Sequence, residues 1–288
     1  MVGVSSVLRG EPLKNHTTFK IGGPVELLVT PKSRDQLISV CTLLIKSGIA
    51  PLILGNGSNI LAADGWISRI AVKTDEGNSD TVRNGDIIWA GSGVLLSRLS
   101  MTAQRNGLTG LEFAYGIPGT LGGAVYMNAG AYGSEMKEIV LETEVIDAEG
   151  QIKTLTEHDF AYRRSRFFTS GEIILSSRLK LQFGEAEQIM QKMGEFLAKR
   201  KASQPLDVPS AGSVFKRPKA GFAAALIDEA GLKGFSIGGA EVSAKHAGFI
   251  VNRNGATCDD VLRLIEHVVK TVQRIFGVEL EPEIRYIR

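Results

Sequence analysis

The chain contains few of the residues that mark disulfide-bonded, metal-binding or nucleic-acid-binding proteins. Its two cysteines, Cys41 and Cys258, lie far apart and form no CxxC pair, so neither a disulfide framework nor a zinc cluster is predicted. The four histidines show no metal-ligand spacing, and we expect no metal site. Because 33 basic residues nearly balance 31 acidic residues, the net charge is only +2, and a broad nucleic-acid-binding surface is not expected.

Long apolar runs are also missing from the sequence. No stretch approaches the roughly 18 apolar residues of a membrane helix, and "MVGVSSVLRG" lacks the charged start and apolar core of a signal peptide. Hydrophobic residues make up 43% of the chain and charged residues 22%, an ordinary balance for a globular protein. We therefore expect a soluble cytoplasmic protein that does not insert into membranes.

Local patterns predict a mixture of helices and strands. Strand "VELLV" (25–29), a helix capped by Ser33 and Gln36, and strand "LIL" (52–54) form a predicted βαβ unit. Short alternating runs between residues 69 and 183 indicate a mostly antiparallel sheet. Further helices are expected at 94–106, at about 185–201, in "AGFAAALIDEAG", and from Thr257 to Gly277. The apolar face of that last helix comprises Val261, Leu264, Ile265, Val268, Val272 and Ile275.

The pattern of predicted secondary structure changes near residues 183–205. The Pro- and Ser-rich segment "SQPLDVPSAGS" (203–213) resembles a linker or an exposed functional loop. We place the domain boundary in this region, with an α+β part before it and a smaller α/β unit after it.

The first motif with chemical potential is "LILGNGSNIL", in which a strand leads into Gly55, Asn56, Gly57, Ser58 and Asn59. Glycines let backbone N–H groups converge on an anion, so the loop could hold a diphosphate. It matches neither the dinucleotide fingerprint nor a Walker A loop. A tight turn between two strands is the competing interpretation.

The second motif is "EFAYGIPGTLGGAVYMNAGAYG" (112–133). Gly119, Gly122 and Gly123 would let the backbone approach a flat ring closely, while Asn128, Ala129 and Gly130 could present main-chain donors to its heteroatoms. A structural turn and a flexible hinge are the alternatives. Two glycine-rich loops in one domain favour a large ligand with phosphate and planar ring parts.

A third segment, "FAYRRSRF" (160–167), is basic. Arg163, Arg164 and Arg166 could bind a carboxylate or a phosphate in a planar, bidentate manner. A solvated basic strand is the alternative interpretation.

Two segments near the C-terminus carry a hydroxyl and a carboxylate. In "PSAGSVFKRP", Ser213 is not part of a GxSxG elbow, so a proton donor or a turn residue fits better than a hydrolase nucleophile. In "LEPEIRYIR", alternation places Glu283, Arg285 and Ile287 on one face of a strand, and such a pattern is usually a salt-bridged edge strand.

Taken together, these segments resemble the UDP-N-acetylenolpyruvoylglucosamine reductases of bacterial peptidoglycan synthesis, in their shorter branch. The resemblance spans nearly the whole chain. It is carried, in order, by "NHTTFKIGGP", "LGNGSNIL", "GLTGLEFAYGIPGTLGGAVYMNAGAYG", "YRRSRF", "PSAGSVFKRP", "KHAGFIVN", "GATCDDV" and "FGVELEPEIR".

The resemblance implies an α+β fold with a flavin-binding part of the vanillyl-alcohol-oxidase type. It implies an FAD-binding domain over 1–183, with subdomains at about 1–73 and 74–183. A substrate-binding domain would cover 184–288, and its strand near 278–288 is a candidate to return to the active site. FAD would be bound by residues 55–59 and by Ile117, Pro118, Gly119, Gly122, Gly123, Asn128 and Ala129. Because residues 52–62 contain no histidine, we expect the FAD to be non-covalent.

The resemblance also implies a reaction. NADPH would supply a hydride that reaches C3 of UDP-N-acetylglucosamine enolpyruvate by way of the flavin, while C2 receives a proton. Arg163 and Glu283 match the pair that polarises the enolpyruvyl carboxylate, and Ser213 matches the proton donor. Tyr132, Tyr162, Lys216 and Arg217 are candidate substrate contacts, and we expect a monomer.

Two rival hypotheses remain at this stage. One is another flavoenzyme of the same fold, such as a sugar or alcohol oxidase, which would not need Arg163, Ser213 and Glu283 together. The other is a non-catalytic protein that binds a nucleotide or a UDP-sugar.

Overall fold

The structure is a computed structural model that describes residue 3, residues 6–74 and residues 77–288. The helices are α1 Arg34–Lys46, α2 Leu96–Arg105, α3 Leu121–Met127, α4 Phe167–Ser170, α5 Ala186–Ser203, α6 Ala223–Glu229 and α7 Cys258–Phe276. The strands are β1 Val7–Pro12, β2 Pro24–Val29, β3 Leu52–Leu54, β4 Ile60–Ala62, β5 Ile67–Lys73, β6 Thr81–Asn84, β7 Ile87–Gly91, β8 Leu108–Thr109, β9 Gly130–Ala131, β10 Ser134–Glu135, β11 Val140–Ile146, β12 Ile152–Leu155, β13 Ile173–Lys180, β14 Gln182–Phe183, β15 Ser210–Ser213, β16 Ser236–Ile237, β17 Ala240–Val242, β18 Phe249–Asn252 and β19 Arg285–Ile287.

The chain forms two compact units, each discontinuous in sequence. The first unit comprises the segment ending at Arg9, Leu27–Asn56 and Arg69–Lys199. The second comprises Gly10–Glu26, Gly57–Ser68 and Arg200–Arg288. The predicted domain boundaries at 73/74 and 183/184 stay predictions.

The first unit contains the predicted antiparallel region. Its five-stranded sheet has the order β12-β11-β13-β7-β6, and all neighbouring strands are antiparallel. One core packs α2 and α3 against this sheet, with Leu99, Leu121 and Val125 fully buried. The predicted antiparallel sheet is therefore confirmed.

The predicted βαβ unit needs a correction. Its helix is confirmed, since the Ser33 side chain accepts a hydrogen bond from the Gln36 N–H and α1 buries Leu37, Cys41 and Leu44. The sheet order, however, is β1-β2-β5-β3, so β5 lies between the two predicted strands, and β3 pairs with β5 in parallel. A local pattern shows that a strand forms but not which strand lies beside it.

The second unit also combines strands with helices. Its four-stranded antiparallel sheet has the order β15-β18-β17-β16, and β4 pairs in parallel with β19. The predicted helix α7 begins with a capping box of Thr257 and Asp260 and ends at Gly277, whose φ of +68° suits a glycine. Its predicted apolar face is buried except at Ile275, which is 50% exposed.

The prediction of a linker over 203–213 is partly wrong. Residues Ser210–Ser213 form strand β15, which pairs with β18. The segment consists of small residues that local propensity assigns to a loop, and the pairing with a remote strand overrides that propensity.

Candidate active site

The two glycine-rich loops meet within the first unit. A Cβ built on Gly55 would lie 2.3 Å from Oγ1 of Thr120, closer than real Cβ atoms come. The amide Nδ2 of Asn56 donates to the main-chain carbonyl of Pro118 at 2.8 Å. Gly55 is therefore required by the close approach of the second loop.

Gly122 and Gly123 differ in what surrounds them. The Gly122 N–H donates to the Ser92 carbonyl at 2.8 Å, and a Cβ on Gly122 would lie 2.7 Å from Cβ of Ser92. Ser92 is buried and accepts a hydrogen bond from the buried Asn78 side chain at 3.0 Å. A Cβ on Gly123 would meet only Oγ1 of Thr120, at 3.7 Å. Gly122 thus packs against Ser92. The backbone at Gly123 is open enough for a flat ring to approach it.

Asn128 is fully buried and makes three side-chain hydrogen bonds. Its Nδ2 donates to Oε2 of Glu135 and to the Ala161 carbonyl, both at 3.0 Å. Its Oδ1 accepts from the Lys137 N–H at 2.9 Å. With a φ of +43°, Asn128 ends α3 in the left-handed region, which asparagine tolerates better than most residues.

The expectation that Asn128 and Ala129 offer main-chain donors to a ligand does not hold. The Asn128 N–H donates to the Val125 carbonyl at 3.2 Å, and the Ala129 N–H donates to the Ala124 carbonyl at 2.8 Å. Both N–H groups satisfy carbonyls at the C-terminus of α3, as is usual where a helix ends.

Arg163 lies in a turn joined to this loop. Its Nη2 donates to the Gly130 carbonyl at 2.9 Å, and its guanidinium carbon lies 5.1 Å from the ring centre of the exposed Tyr162. The buried Ser165 hydroxyl donates to the Tyr126 carbonyl at 2.6 Å. Together with the bond from Asn128 to Ala161, these contacts tie segment 161–165 to segment 126–130.

The other two arginines of the basic segment differ from Arg163. Arg166 forms a bidentate pair with Glu172, at 3.0 and 3.1 Å, so its guanidinium is used within the fold. Arg164 is exposed, and its backbone forms a bridge with Ala161.

Ser213 and Glu283 lie on neighbouring segments of the second unit. The Glu283 N–H donates to the Val214 carbonyl at 2.7 Å, and Phe215 forms a bridge with Pro282. The Ser213 side chain is exposed, and its Oγ lies 3.5 Å from the Phe215 carbonyl, too far to hold the hydroxyl firmly. Ser213 and Glu283, which are 70 positions apart in the sequence, thus lie on adjacent backbone segments.

The second half of the first glycine-rich loop lies beside Glu283. The Asn59 Nδ2 donates to the Glu283 carbonyl at 3.3 Å, and the Arg285 N–H donates to the Asn59 carbonyl at 2.8 Å. A Cβ on Gly57 would lie 2.2 Å from the His16 carbonyl oxygen, so close packing and a φ of +62° both require glycine there. A Cβ on Gly212 would lie 4.0 Å from the Ser58 carbonyl oxygen.

The predicted substrate contacts all have protein partners. The Tyr132 hydroxyl donates to the Phe196 carbonyl at 2.9 Å, and the two rings stack at 4.3 Å. Lys216 pairs with Glu281, and the guanidinium carbon of Arg217 lies 4.1 Å from the ring centre of Phe222.

One buried carboxylate that the sequence analysis missed orders the start of the second loop. Glu112 accepts hydrogen bonds from the Thr109 hydroxyl at 2.5 Å and the Gly110 N–H at 2.8 Å, and Lys192 lies 3.8 Å away. Burial alone would raise the pKa of Glu112, but these hydrogen bonds outweigh it and hold the pKa below its ordinary value. The only signal in the sequence is an acidic residue within an otherwise apolar and glycine-rich segment.

The described part of the chain consists of residue 3, residues 6–74 and residues 77–288. In this part of the chain no cluster of three or more histidine, cysteine, aspartate or glutamate side chains could hold a metal ion. None of its helices has the length and apolar character needed to cross a membrane.

Comparison with known proteins adds to this geometry. The family model described as "FAD binding domain" matches residues 25–156, and the one described as "UDP-N-acetylenolpyruvoylglucosamine reductase, C-terminal domain" matches residues 204–287. The UDP-N-acetylenolpyruvoylglucosamine reductase of Caldanaerobacter subterraneus is 49% identical over 96% of this chain and 92% of its own length. That of Clostridium perfringens is 46% identical over 96% and 91%. The crystal structure of the Thermus caldophilus reductase is 36% identical and covers 98% of both chains with a TM-score of 0.83.

An FAD-binding domain with two converging glycine-rich loops defines a flavin-dependent oxidoreductase. Within that class, the chain belongs to the UDP-N-acetylenolpyruvoylglucosamine reductase family. The resemblance inferred from the motifs, the α+β fold class and the FAD cofactor are confirmed.

Proposed function

We propose that the protein reduces UDP-N-acetylglucosamine enolpyruvate to UDP-N-acetylmuramate in peptidoglycan synthesis, with NADPH as the hydride donor. Family membership supports this reaction. The observation that carries the residue assignment is the 2.7 Å hydrogen bond from the Glu283 N–H to the Val214 carbonyl, since it brings Glu283 beside the strand of Ser213. We further propose that the protein acts as a cytoplasmic monomer on small-molecule substrates.

The glycine-rich loops would hold the FAD. Gly55, Asn56, Gly57, Ser58 and Asn59 would bind its diphosphate through main-chain N–H groups and short polar side chains. The loop from Ile117 to Ala129 would lie along the ring, with Gly123 leaving backbone open to it. When bound, the flavin supplies hydride transfer between NADPH and the substrate.

Arg163 would bind the enolpyruvyl carboxylate. Its planar guanidinium suits a carboxylate, and its hydrogen bond to the Gly130 carbonyl restricts where it can point. As hydride adds at C3 of the substrate, negative charge develops over C2 and the carboxylate. A fixed cation stabilises that charge without reorganising. Glu283 would act with Arg163 in polarising the carboxylate.

Ser213 would protonate C2. A hydroxyl is a weak acid, but the carbanion that forms is strongly basic, so a well-placed serine can donate to it. Because the Ser213 hydroxyl is exposed and only weakly bonded to the Phe215 carbonyl, it can turn towards a substrate. Tyr132, Tyr162, Lys216 and Arg217 would contact the sugar diphosphate.

An anaerobic two-step titration tests the reaction. NADPH should bleach the visible absorbance of the purified yellow protein, and UDP-N-acetylglucosamine enolpyruvate should restore it without oxygen. If only oxygen restores the absorbance, the protein is an oxidase of the same fold and the proposed reaction is wrong.

The role of Ser213 predicts that one half-reaction is lost selectively. Ser213→Ala should be reduced by NADPH at the parent rate but should lose most of its reoxidation by the substrate, by about 100-fold or more. Stopped-flow absorbance measures both steps. Equal losses in the two steps would instead give Ser213 a role in folding or flavin binding.

A further inference from the structure

Phe222 is a large apolar side chain at the surface of the second unit. Its ring is 60% exposed, and it occupies the N-cap position of α6. Burial of a phenyl ring stabilises a protein, so the exposed ring forgoes that stabilisation in the free protein. Single exposed apolar side chains are common, and the case for a binding role rests on what surrounds this one.

The guanidinium of Arg217 lies over the Phe222 ring. The guanidinium carbon lies 4.1 Å from the ring centre, within the range of a cation–π contact.

The backbone that carries the pair is held at both ends. The Lys216 N–H donates to the Glu281 carbonyl at 2.8 Å. The Phe222 carbonyl accepts from the N–H groups of Ala225 and Leu226, at 3.1 and 3.2 Å, at the start of α6. Because the next residue, Ala223, is buried in the core, the ring is fixed at the surface by the fold.

The position and charge of this segment suit one part of the proposed substrate. Lys216, Arg217 and Lys219 make the stretch after Ser213 basic, which suits a diphosphate. Nucleotide bases stack on aromatic rings and on arginine planes. A nucleoside diphosphate combines both features.

We propose that Phe222, together with Arg217, forms a stacking platform for the uracil ring of the UDP-sugar substrate. This inference rests on the proposed function. It assigns to Phe222 a role in substrate affinity and none in the transfer of hydride or proton.

Steady-state kinetics of the FAD-loaded enzyme test the platform. Phe222→Ala should raise the KM for UDP-N-acetylglucosamine enolpyruvate about tenfold, because base stacking is lost. Its kcat and its reduction by NADPH should match the parent. Phe222→Tyr, which keeps a ring, should retain a KM within about twofold of the parent. The matched control is Phe183→Ala, which removes a ring that is 67% exposed in the first unit and should leave the KM unchanged.

Inhibition by product fragments separates the base from the phosphates. UDP should inhibit Phe222→Ala about tenfold more weakly than the parent, while inorganic pyrophosphate should inhibit both equally. A parental KM in Phe222→Ala, or an equal rise in Phe183→Ala, overturns the platform.

Two controls keep the outcome clear. If Phe222→Ala does not fold, Phe222→Leu replaces it, because leucine keeps the apolar bulk but has no π face. A raised KM in Phe222→Leu supports the platform, and a parental KM overturns it. If the parent is not reoxidised by the substrate at all, the proposed function fails rather than the platform.

Discussion

At the scale of single residues, Asn128 illustrates how one buried amide orders two segments. Its side chain bonds Glu135, the Ala161 carbonyl and the Lys137 N–H, and it is fully buried. The bond to Ala161 lies two residues before Arg163, so Asn128 would act through the backbone on the arginine that we propose binds the substrate carboxylate. This makes it a positioning residue.

The effect of Asn128 can be divided between backbone and side chain with two substitutions. Asn128→Gly removes the side chain, and glycine tolerates the φ of +43°. Asn128→Ala removes the same side chain and, in addition, loses about 1–2 kcal/mol of unfolding free energy because alanine disfavours the left-handed conformation. Both should lose about 1–3 kcal/mol of unfolding free energy for the groups left unpaired, with the alanine variant the less stable. Urea unfolding measures this order.

Kinetics of the same variants separate positioning from stability. In Asn128→Gly, reoxidation by the substrate should slow more than reduction by NADPH, because the proposed role of Arg163 belongs only to the second step. If both half-reactions keep parental rates, Asn128 has a purely structural role.

The sequence predicted that Asn128 belongs to the cofactor-binding loop but not which groups it bonds. Asn128 was expected to offer a main-chain donor, and its N–H instead bonds the Val125 carbonyl. Motifs show which residue types occur at a site, while the partners of a buried polar group depend on segments that are remote in sequence. Ser165 and Glu112 were missed for the same reason.

At the scale of elements, the turn that carries Arg163 begins at a buried histidine. Nε2 of His158 lies 2.9 Å from Oγ1 of Thr143, and its ring stacks on Phe160 at 4.8 Å. The His158 carbonyl accepts from the Arg166 N–H at 2.8 Å, closing the turn. Burial disfavours the charged imidazole and lowers the pKa of His158 below its ordinary value.

This shift predicts a pH dependence of stability. The unfolded histidine, with a pKa of about 6.5, binds a proton at a higher pH than the folded one does. The contribution of His158 is therefore complete above pH ~6.5 and is lost as the pH falls towards the folded pKa. His158→Gln should flatten the decline of unfolding free energy between about pH 7 and pH 5 in urea titrations.

A second histidine provides the control for that titration. Burial also lowers the pKa of His246, so the parent decline has two contributions and His246→Gln should remove only one. If His158→Gln shows the full parental decline, burial of His158 does not govern the acid sensitivity of this turn.

Helices were easier to predict than strand partners. The ends of α7 follow from Thr257, Asp260 and Gly277, all of them local signals. The insertion of β5 between β2 and β3, and the pairing of Ser210–Ser213 with β18, depend on residues far away in the chain. Composition alone made Ser210–Ser213 resemble a linker.

At the scale of the whole molecule, neither unit is continuous in sequence. Gly10–Glu26 and Gly57–Ser68 belong to the same unit as the C-terminal part of the chain. The core of that unit includes Phe19, Ile21 and Leu61 beside residues of α7. Hydrophobic patterns identify core-facing residues but do not assign them to a core. The class of fold was instead predicted from the order of the motifs, through family resemblance.

The mode of FAD attachment is a property of the whole molecule that one extraction tests. Because residues 52–62 contain no histidine, denaturation in acid should release all the flavin into the supernatant and leave a colourless pellet. Yellow colour that remains with the precipitated protein would show a covalent bond and contradict non-covalent binding.

Adding flavins back to the protein tests whether the glycine-rich loops bind the diphosphate. At about 100 times its Kd, FAD should raise the unfolding free energy of the refolded apoprotein by about 2.7 kcal/mol, because it binds only the folded state. At the same concentration riboflavin, which has no phosphates, should stabilise the protein less, since residues 55–59 would gain no anion to bind. Equal stabilisation by the two flavins, measured by thermal or urea unfolding, would assign the affinity to the ring-binding loop alone.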